Sequence, residues 1–246
     1  MGEIRRYLEE REAAKTRGLE RGAAVRLLRR VSGFEARQKA KVKSTRLLEP
    51  VERRKARRLA EASPLRLHLG SGAHRLPDWV NVDVLGMGPD LYWDLTRRLP
   101  FADGAAEAVF LEHVLEHFPL ASVFGLLAES RRLLAPSGIV RVGVPDFGRY
   151  LESYAGDRAF IERERPGRPT ALLAVAEVAL GHGHRSVWDA ETLERVLAEA
   201  GFADVSRSAF GQSELEPAPD NPRREGETVY AEGRRPQTPK STIPRR

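Results

Sequence analysis

The sequence predicts an α/β domain built on an open, mostly parallel sheet. Between residues 63 and 235, short apolar runs alternate with longer helical segments, a pattern typical of parallel strands with helices on both faces. The run LRLHLGSG, residues 65–72, combines alternating leucines with glycines, which indicates a buried strand ending in a tight turn. Before this domain, residues 1–62 are rich in Lys, Arg and other helix formers, so we expect an N-terminal helical extension.

The chain divides into three parts on composition. Residues 1–62 form a basic helical leader, in which Ile4 and Leu8 belong to one small apolar group and Leu27 and Leu28 to another. Residues 63–235 form the α/β domain. Residues 236–246 contain three prolines and three basic residues, and we expect a disordered tail.

A second strand follows the glycine turn closely. The run WVNVDV, residues 79–84, brings Asp83 to a strand's carboxyl end, where open α/β sheets bind ligands and where a carboxylate can accept both hydroxyls of a ribose. Thirteen positions separate Gly70 from Asp83, so the first crossover must be an irregular loop or a very short helix. Taken alone, these residues also fit an ordinary turn and a solvated strand end.

The later elements have clear boundaries. Residues 120–134 predict a helix stopped by Pro136 and Gly138, and IVRVGV, residues 139–144, predicts a buried strand. Asp189 is a suitable N-cap for a helix that ends at Gly201. The last two predicted strands are ADVSRSAF and ETVYAEGRR, which commonly pair antiparallel at one sheet edge in this fold class.

Two more segments carry a family resemblance. They are DLTRRLPFADGAAEAVFLEHVLEHF, residues 94–118, and LLAPSGIVRVGVPD, residues 133–146. With the glycine turn and the NVD strand, they make the chain resemble class I S-adenosylmethionine-dependent methyltransferases of the methyltransferase type 11-like branch. The resemblance covers about residues 63–235. It implies a Rossmann-like, doubly wound, seven-stranded, mostly parallel sheet with an antiparallel edge strand, and S-adenosyl-L-methionine as the cofactor.

The resemblance also implies which residues meet the cofactor. Those beneath its methionine part and its ribose would be Gly70, Ser71, Gly72 and Asp83. Those beside the adenine and the transferable methyl group would be Asp94, Leu95, Glu112 and His113.

The first motif departs from the family pattern at two positions. His68 stands where an acidic residue is usual, and His74 stands where a third glycine is usual. A GxGxxG dinucleotide fingerprint would need glycine at Arg75. This counts against NAD, whose pyrophosphate needs a close approach to the backbone, more than against a cofactor without phosphate.

Methyl transfer needs a general base only when the acceptor must lose a proton. The candidates are His113 after the fourth strand, His184 in the GHGH loop, Asp146 at a strand end, and Tyr150. Each has a structural alternative: Asp146 fits a helix N-cap and a loop histidine is often a surface residue.

We also considered a metal site. His113 and His117 have an HxxxH spacing and would share one helix face, but Val114 excludes the HExxH motif of metalloproteases. No motif supplies a third ligand. The sequence therefore predicts no metal.

Composition limits the cellular setting. The chain has no cysteine, which excludes disulfides and thiolate metal sites. We find neither a membrane span nor a signal peptide and expect a cytoplasmic protein. Residues 1–60 hold 19 basic and 8 acidic residues, net +11, whereas the other 186 residues hold 22 and 27, net −5.

The predicted function is methyl transfer to an undetermined acceptor, with a sugar or lipid-linked small molecule favoured. The basic leader would dock on an anionic surface or partner, contributing little to cofactor binding, or pack on the domain as a helical layer. One alternative is a non-catalytic cofactor-binding module of a surface or envelope assembly. Another is an RNA methyltransferase that uses residues 1–60 as a clamp, which is not favoured because the leader offers few aromatic residues for stacking.

Overall fold

A computed structural model describes residues 2–17, 34–61, 64–84 and 87–237 of the chain. The second apolar group of the leader, at Leu27 and Leu28, lies outside the described residues, as do residues 238–246 of the expected tail.

The domain is built on one seven-stranded sheet. Its order is β3-β2-β1-β4-β5-β7-β6, with β1 to β5 parallel and β7 antiparallel to both of its neighbours. This confirms the predicted mostly parallel sheet and the antiparallel pairing of the last two strands at one edge. The strands are β1 (Arg66–Leu69), β2 (Val80–Asp83), β3 (Leu91–Tyr92), β4 (Ala106–Glu112), β5 (Leu134–Pro145), β6 (Ala203–Ser208) and β7 (Thr228–Arg234).

The helices occupy the leader and the connections between strands. Those of the leader are α1 (Glu3–Arg17), α2 (Phe34–Leu47) and α3 (Glu49–Leu59). Those of the domain are α4 (Leu120–Leu133), α5 (Phe147–Ala155), α6 (Ala159–Glu164), α7 (Ala171–Leu180) and α8 (Ala190–Glu199). Residues 70–79, which join β1 to β2, contain turns and no helix, as the short spacing predicts.

The two largest hydrophobic clusters among the described residues organise these elements. The larger joins the sheet to α3, α4 and α8, and contains Leu67, Val109, Val142, Leu127 and Leu197. The smaller lies among α5, α6 and α7 and contains Tyr150, Phe160, Ile161, Ala174, Val175 and Val178. The region between β5 and α8 therefore has its own apolar support, beside the carboxyl ends of the strands.

Two predicted boundaries differ from the structure. The helix that begins at Leu120 ends at Leu133, because Leu134 is extended and pairs with Ala106 as the first residue of β5. That strand therefore passes through Pro136 and Gly138 and is longer than the predicted 139–144. The expected N-cap of α8 is present, since Asp189 Oδ1 accepts a hydrogen bond of 2.8 Å from the amide of Thr192.

The described part of the leader contacts the domain through polar groups. Glu52 of α3 is buried and its Oε2 accepts a 2.8 Å hydrogen bond from the Tyr92 amide of β3. The guanidinium of Arg53 lies 5.1 Å from the centroid of the Trp93 ring. In contrast, Ile4 and Leu8 of α1 are about half exposed. Helix α3 thus packs on the β3 edge of the sheet, whereas Ile4 and Leu8 of α1 do not form a buried layer.

No helix in the described residues is both long enough and apolar enough to cross a lipid bilayer.

Candidate functional site

The candidate site lies where the strand order reverses. Strand β1 stands between β2 and β4, so the chain runs towards one edge through β2 and β3 and towards the other through β4 and β5. In open α/β sheets this switch point leaves a crevice at the carboxyl ends of the strands, where ligands bind. The residues that follow β1 and β4 are Gly70 and His113, so the predicted site residues meet at this crevice.

The glycine turn is held against β2. The amides of Gly70 and Ser71 both donate to the carbonyl oxygen of Val82, at 2.8 and 3.2 Å. Gly70 has φ +75°, and a Cβ there would lie 2.4 Å from Cγ2 of Val114. Because both the backbone angle and the contact exclude a side chain, glycine is required at this position.

The hydroxyl of Ser71 is the unpaired polar group of the glycine turn. The hydroxyl of Ser71 is buried and has no hydrogen-bond partner among the described residues. Such a group is unusual in a folded protein, because burying an unpaired hydroxyl costs free energy. A bound ligand with a complementary polar atom would satisfy it, which fits a cofactor lying over this turn.

The Asp83 carboxylate is fixed by two backbone amides. Gly72 donates to its Oδ2 and Val84 to its Oδ1, both at 2.6 Å. Burial raises the pKa of Asp83, while these two amides and the charge of Lys41 oppose the shift. A carboxylate has about four acceptor positions. Asp83 therefore keeps one lone pair on each oxygen for two neighbouring hydroxyls.

Asp94 is engaged by the leader. Its Oδ2 accepts from Nε and Nη2 of Arg46 of α2, at 2.8 and 2.6 Å, while its Oδ1 accepts from the amide and the hydroxyl of Thr96. Leu95 beside it packs against the main core. Four donors already use the acceptor positions of this carboxylate, so accepting an adenine amine requires the Arg46 contact to rearrange.

Glu112 is the last residue of β4. Its Oε1 accepts from the Asn221 amide at 3.0 Å and from the Tyr230 hydroxyl at 2.8 Å. Burial raises the pKa of this carboxyl group. The side chain is therefore held towards β7.

His113 follows Glu112 with φ +53°, and its amide still donates to Gly143 of β5 at 2.9 Å. Its Nε2 lies 2.9 Å from the Thr228 hydroxyl and its Nδ1 lies 3.5 Å from Oε1 of Glu116. Burial lowers the pKa of His113 well below the ordinary value, so the ring is neutral. The helix face predicted for His113 and His117 is absent, because only residues 115–117 form a short 3₁₀ turn.

Instead, His117 meets the GHGH loop. The rings of His117 and His184 are 5.1 Å apart, centroid to centroid. The amides of Arg185 and Ser186 donate to the carbonyl oxygen of Glu116, at 2.7 and 3.2 Å. The loop that carries His184 is therefore tied directly to the turn after β4.

Asp146 and Tyr150 have structural partners of their own. Asp146 caps α5, since its Oδ1 accepts from the Arg149 amide at 3.1 Å. The buried Tyr150 hydroxyl donates to Oε2 of Glu227 at 3.2 Å. Glu227 also binds Arg165 and lies 3.4 Å from Arg224. Both arginines thus reach the His113 side of the crevice already paired with a carboxylate.

Sequence reasoning missed three of these residues. Arg46 pairs with Asp94 across 48 positions, and no motif marks it. Glu227 belongs to the segment predicted only as a strand. Glu116 was visible inside HVLEH, between the two histidines that were considered as metal ligands, but the short 3₁₀ turn that aims it inward was not predicted.

Part of the chain matches a known family. Residues 92–142 match the family described as a methyltransferase domain. No curated protein matches the chain.

Solved structures with similar folds include three methyltransferases. An S-adenosylmethionine-dependent methyltransferase from Archaeoglobus fulgidus is 13% identical, with 82% of this chain and 100% of that chain covered and a TM-score of 0.44. One from Thermotoga maritima is 17% identical; the match covers 82% of this chain and 96% of that chain, with a TM-score of 0.46. An O-methyltransferase family protein from Burkholderia thailandensis is 15% identical; the match covers 78% of this chain and 57% of that chain, with a TM-score of 0.46.

The matched segment runs from β3 into β5 and so contains the D-L…LPF and HVLEH motifs of the sequence resemblance. The sheet has the strand number, the parallel majority and the antiparallel pairing that the resemblance implies. Over residues 92–142 the chain is thus similar to a methyltransferase domain, which supports the S-adenosylmethionine-dependent family and the S-adenosyl-L-methionine cofactor that the sequence resemblance implies.

Proposed function

We propose that this protein holds S-adenosylmethionine over the Gly70–Gly72 turn, with the ribose on Asp83, and methylates a sugar or a lipid-linked small molecule. The observation that carries the cofactor assignment is the Asp83 carboxylate. Two backbone amides orient it at the switch point, and each of its oxygens keeps one acceptor position. The unpaired Ser71 hydroxyl beside it supports the same placement.

The other cofactor contacts are proposals from the family resemblance. They comprise Asp94 and Leu95 beside the adenine, and Glu112 and His113 near the methionine part. The position of His113 after β4 supports the last of these, because it stands across the crevice from Gly70. The Arg46 pairing implies that α2 adjusts when adenine contacts Asp94.

When bound, S-adenosylmethionine would supply a methyl group on a sulfonium; the acceptor atom would bond to the methyl carbon while the carbon–sulfur bond breaks and the neutral thioether leaves. The protein's part is to align the acceptor and exclude water. The proposed catalytic groups that meet the acceptor are His113, His184 and Asp146. The neutral ring of His113 and the loop of His184 lie on the same side of the crevice, which supports this role for the two histidines. Asp146 has the weaker support because its side chain caps α5.

A small acceptor suits this side of the site better than a polynucleotide. Near His113, Arg165 and Arg224 are both paired with Glu227 and do not form an open basic groove. Part of the leader's positive charge is also used internally, since Arg46 pairs with Asp94 and Arg53 with Glu49. A cytoplasmic location stays a prediction.

The cofactor assignment is tested with Asp83→Ala. Losing charge-assisted hydrogen bonds to two hydroxyls should cost about 1.5–3 kcal/mol, or about 10- to 150-fold in affinity. Calorimetry with S-adenosylmethionine measures this. Asp103→Ala is the matched control, because Asp103 is an exposed, ion-paired carboxylate. Unchanged affinity in a folded Asp83→Ala protein would show that the ribose lies elsewhere.

The acceptor class is tested by turnover with methyl-labelled cofactor on fractionated extract. We expect label in low-molecular-mass or glycan fractions. Label confined to RNA, lost when residues 1–33 are deleted, would contradict the proposed acceptor and favour the RNA methyltransferase.

A further inference from the structure

We propose that Glu116, His117 and His184 form a binding site for a divalent transition-metal ion. Each residue offers one ligand atom, and these three atoms all lie within 4.8 Å of one another. The site combines the turn after β4 with the GHGH loop, 68 positions further along the chain. This inference does not depend on the identity of the methyl acceptor.

The Glu116 carboxylate lacks the partners that a buried charge needs. Its side chain is 2% exposed, and neither oxygen has a hydrogen-bond partner among the described residues. The closest basic nitrogen is Nδ1 of His113, at 3.5 Å, which is longer than an ordinary hydrogen bond. Arg165 and Arg224 are both paired with Glu227. A buried carboxylate without partners is costly, and a bound cation would remove that cost.

The two histidines are oriented as metal ligands usually are. A ligating imidazole normally donates its second ring N–H to a carbonyl or carboxylate, which fixes the ring and leaves the other nitrogen free for the metal. His184 Nδ1 lies 2.6 Å from the carbonyl oxygen of Val178, so its Nε2 carries the free lone pair. His117 makes its backbone hydrogen bond with Gly183. Each ring is therefore anchored through one nitrogen.

The backbone holds the two halves of the site together. Glu116 accepts two amide hydrogen bonds from Arg185 and Ser186 through its carbonyl oxygen. The Ser186 hydroxyl also donates to the carbonyl oxygen of Phe118, at 3.0 Å. These contacts fix the distance between Glu116 and His184 without using either side chain, so the ligand set is preorganised.

The donor set selects the kind of ion. Two imidazoles and one carboxylate suit Zn²⁺, Co²⁺ or Fe²⁺, whereas Mg²⁺ and Ca²⁺ prefer oxygen ligands. Three protein ligands also leave at least one coordination position open, as in catalytic zinc sites. The open position would lie on the His113 side of the crevice, where the acceptor is proposed to bind.

Cobalt is the direct probe because its visible spectrum reports the coordinating atoms. The full-length protein is treated with a chelator, desalted and titrated with Co²⁺. We expect one equivalent to bind with a visible ligand-field band that Zn²⁺ abolishes and Mg²⁺ does not. No band and no binding of Zn²⁺ by calorimetry would overturn the proposal.

Variants locate the site. Glu116→Gln and His184→Ala should each weaken Co²⁺ binding by about tenfold or more. His182→Ala is the matched control, since His182 lies in the same loop, is exposed and is outside the ligand group. Equal losses in the His182 and His184 variants would mean surface binding by the loop and would also overturn the proposal.

Thermal unfolding separates a misfolded variant from a site variant. Metal-free Glu116→Gln should be about as stable as the metal-free parent, because Gln has the same shape as Glu and the Glu116 oxygens have no hydrogen-bond partner among the described residues to lose. Zn²⁺ should raise the melting temperature of the parent only. The cofactor site is tested separately with Asp83→Ala, so the metal site and the cofactor site can fail independently of each other.

Discussion

His68 illustrates how one buried side chain can report on the fold. It stands in β1 at the position where the resembling family has an acidic residue. Its ring is buried against Phe110, with Nδ1 3.2 Å from Oδ1 of Asn81. Burial lowers the pKa of His68 to about 3. The native protein therefore keeps this ring neutral at pH values where the unfolded chain protonates it.

The consequence is a loss of stability in acid. Between pH 6.5 and about 3 the unfolded state binds the extra proton, so the free energy of unfolding falls as pH falls. The His68 contribution should fall by about 1.4 kcal/mol per pH unit, or about 2 kcal/mol between pH 7.5 and 5. Urea unfolding of the parent and of His68→Gln measures it as the difference between the two pH profiles.

Glutamine can still donate to Asn81 but does not titrate. The free energy of unfolding of His68→Gln should therefore fall less than that of the parent, by about 2 kcal/mol between pH 7.5 and 5. His182→Gln is the control, because His182 is exposed and its profile should follow the parent. Parallel profiles for the parent and His68→Gln would mean that the His68 ring is protonated in the native state.

At the scale of elements, Arg141 connects β5, β7 and the segment after β6. The side chain is fully buried, and its guanidinium donates to both oxygens of Asp220 at 2.6 Å and to Oε1 of Glu232 at 2.8 Å. A further donation of 2.7 Å reaches the hydroxyl of Ser208 in β6. One side chain thus satisfies two buried carboxylates at the antiparallel end of the sheet.

Replacing Arg141 should therefore be costly. Arg141→Met keeps the apolar length of the side chain but leaves Asp220 and Glu232 buried without their cation, which should cost about 3–5 kcal/mol of stability. Arg207→Met, on the exposed side of β6, should change stability by less than about 0.5 kcal/mol. Denaturant unfolding compares them. Similar losses in both variants would contradict a special role for the buried network.

The elements also show what the sequence could predict. Alternating leucines, the NVD run and the Asp189 cap are local patterns, and the structure has β1, β2 and α8 where they predict them. The helix end at Leu133 was misjudged by one residue, because strand pairing of Leu134 outweighed the signal of Pro136. The approach of His184 to His117 depends on a long-range contact, which no local periodicity encodes.

At the scale of the molecule, the basic leader is in part an element of the fold. Arg46 and Glu52 bind Asp94 and Tyr92, so α2 and α3 contact the same sheet edge as the proposed adenine site. The excess of positive charge in residues 1–60 predicted a separate arm. That charge distribution could not predict these polar contacts, which join residues 40 or more positions apart. Other basic residues of α3 are exposed to solvent, among them Arg54, Arg57 and Arg58.

These three arginines provide the sharpest test of docking. If the leader binds anionic surfaces, neutralising Arg54, Arg57 and Arg58 together with Gln should weaken binding to phosphatidylserine vesicles by about 1 kcal/mol per residue at low salt, because each loses its attraction to the surface. The effect should shrink as added salt screens the charges. Cofactor affinity should stay at the parent value, since none of the three contacts the glycine turn or Asp83. The matched control neutralises Arg131, Arg195 and Arg207, three exposed arginines outside the leader. Equal vesicle binding by the two triple variants would show that only net charge matters, and the leader would then have no docking role of its own.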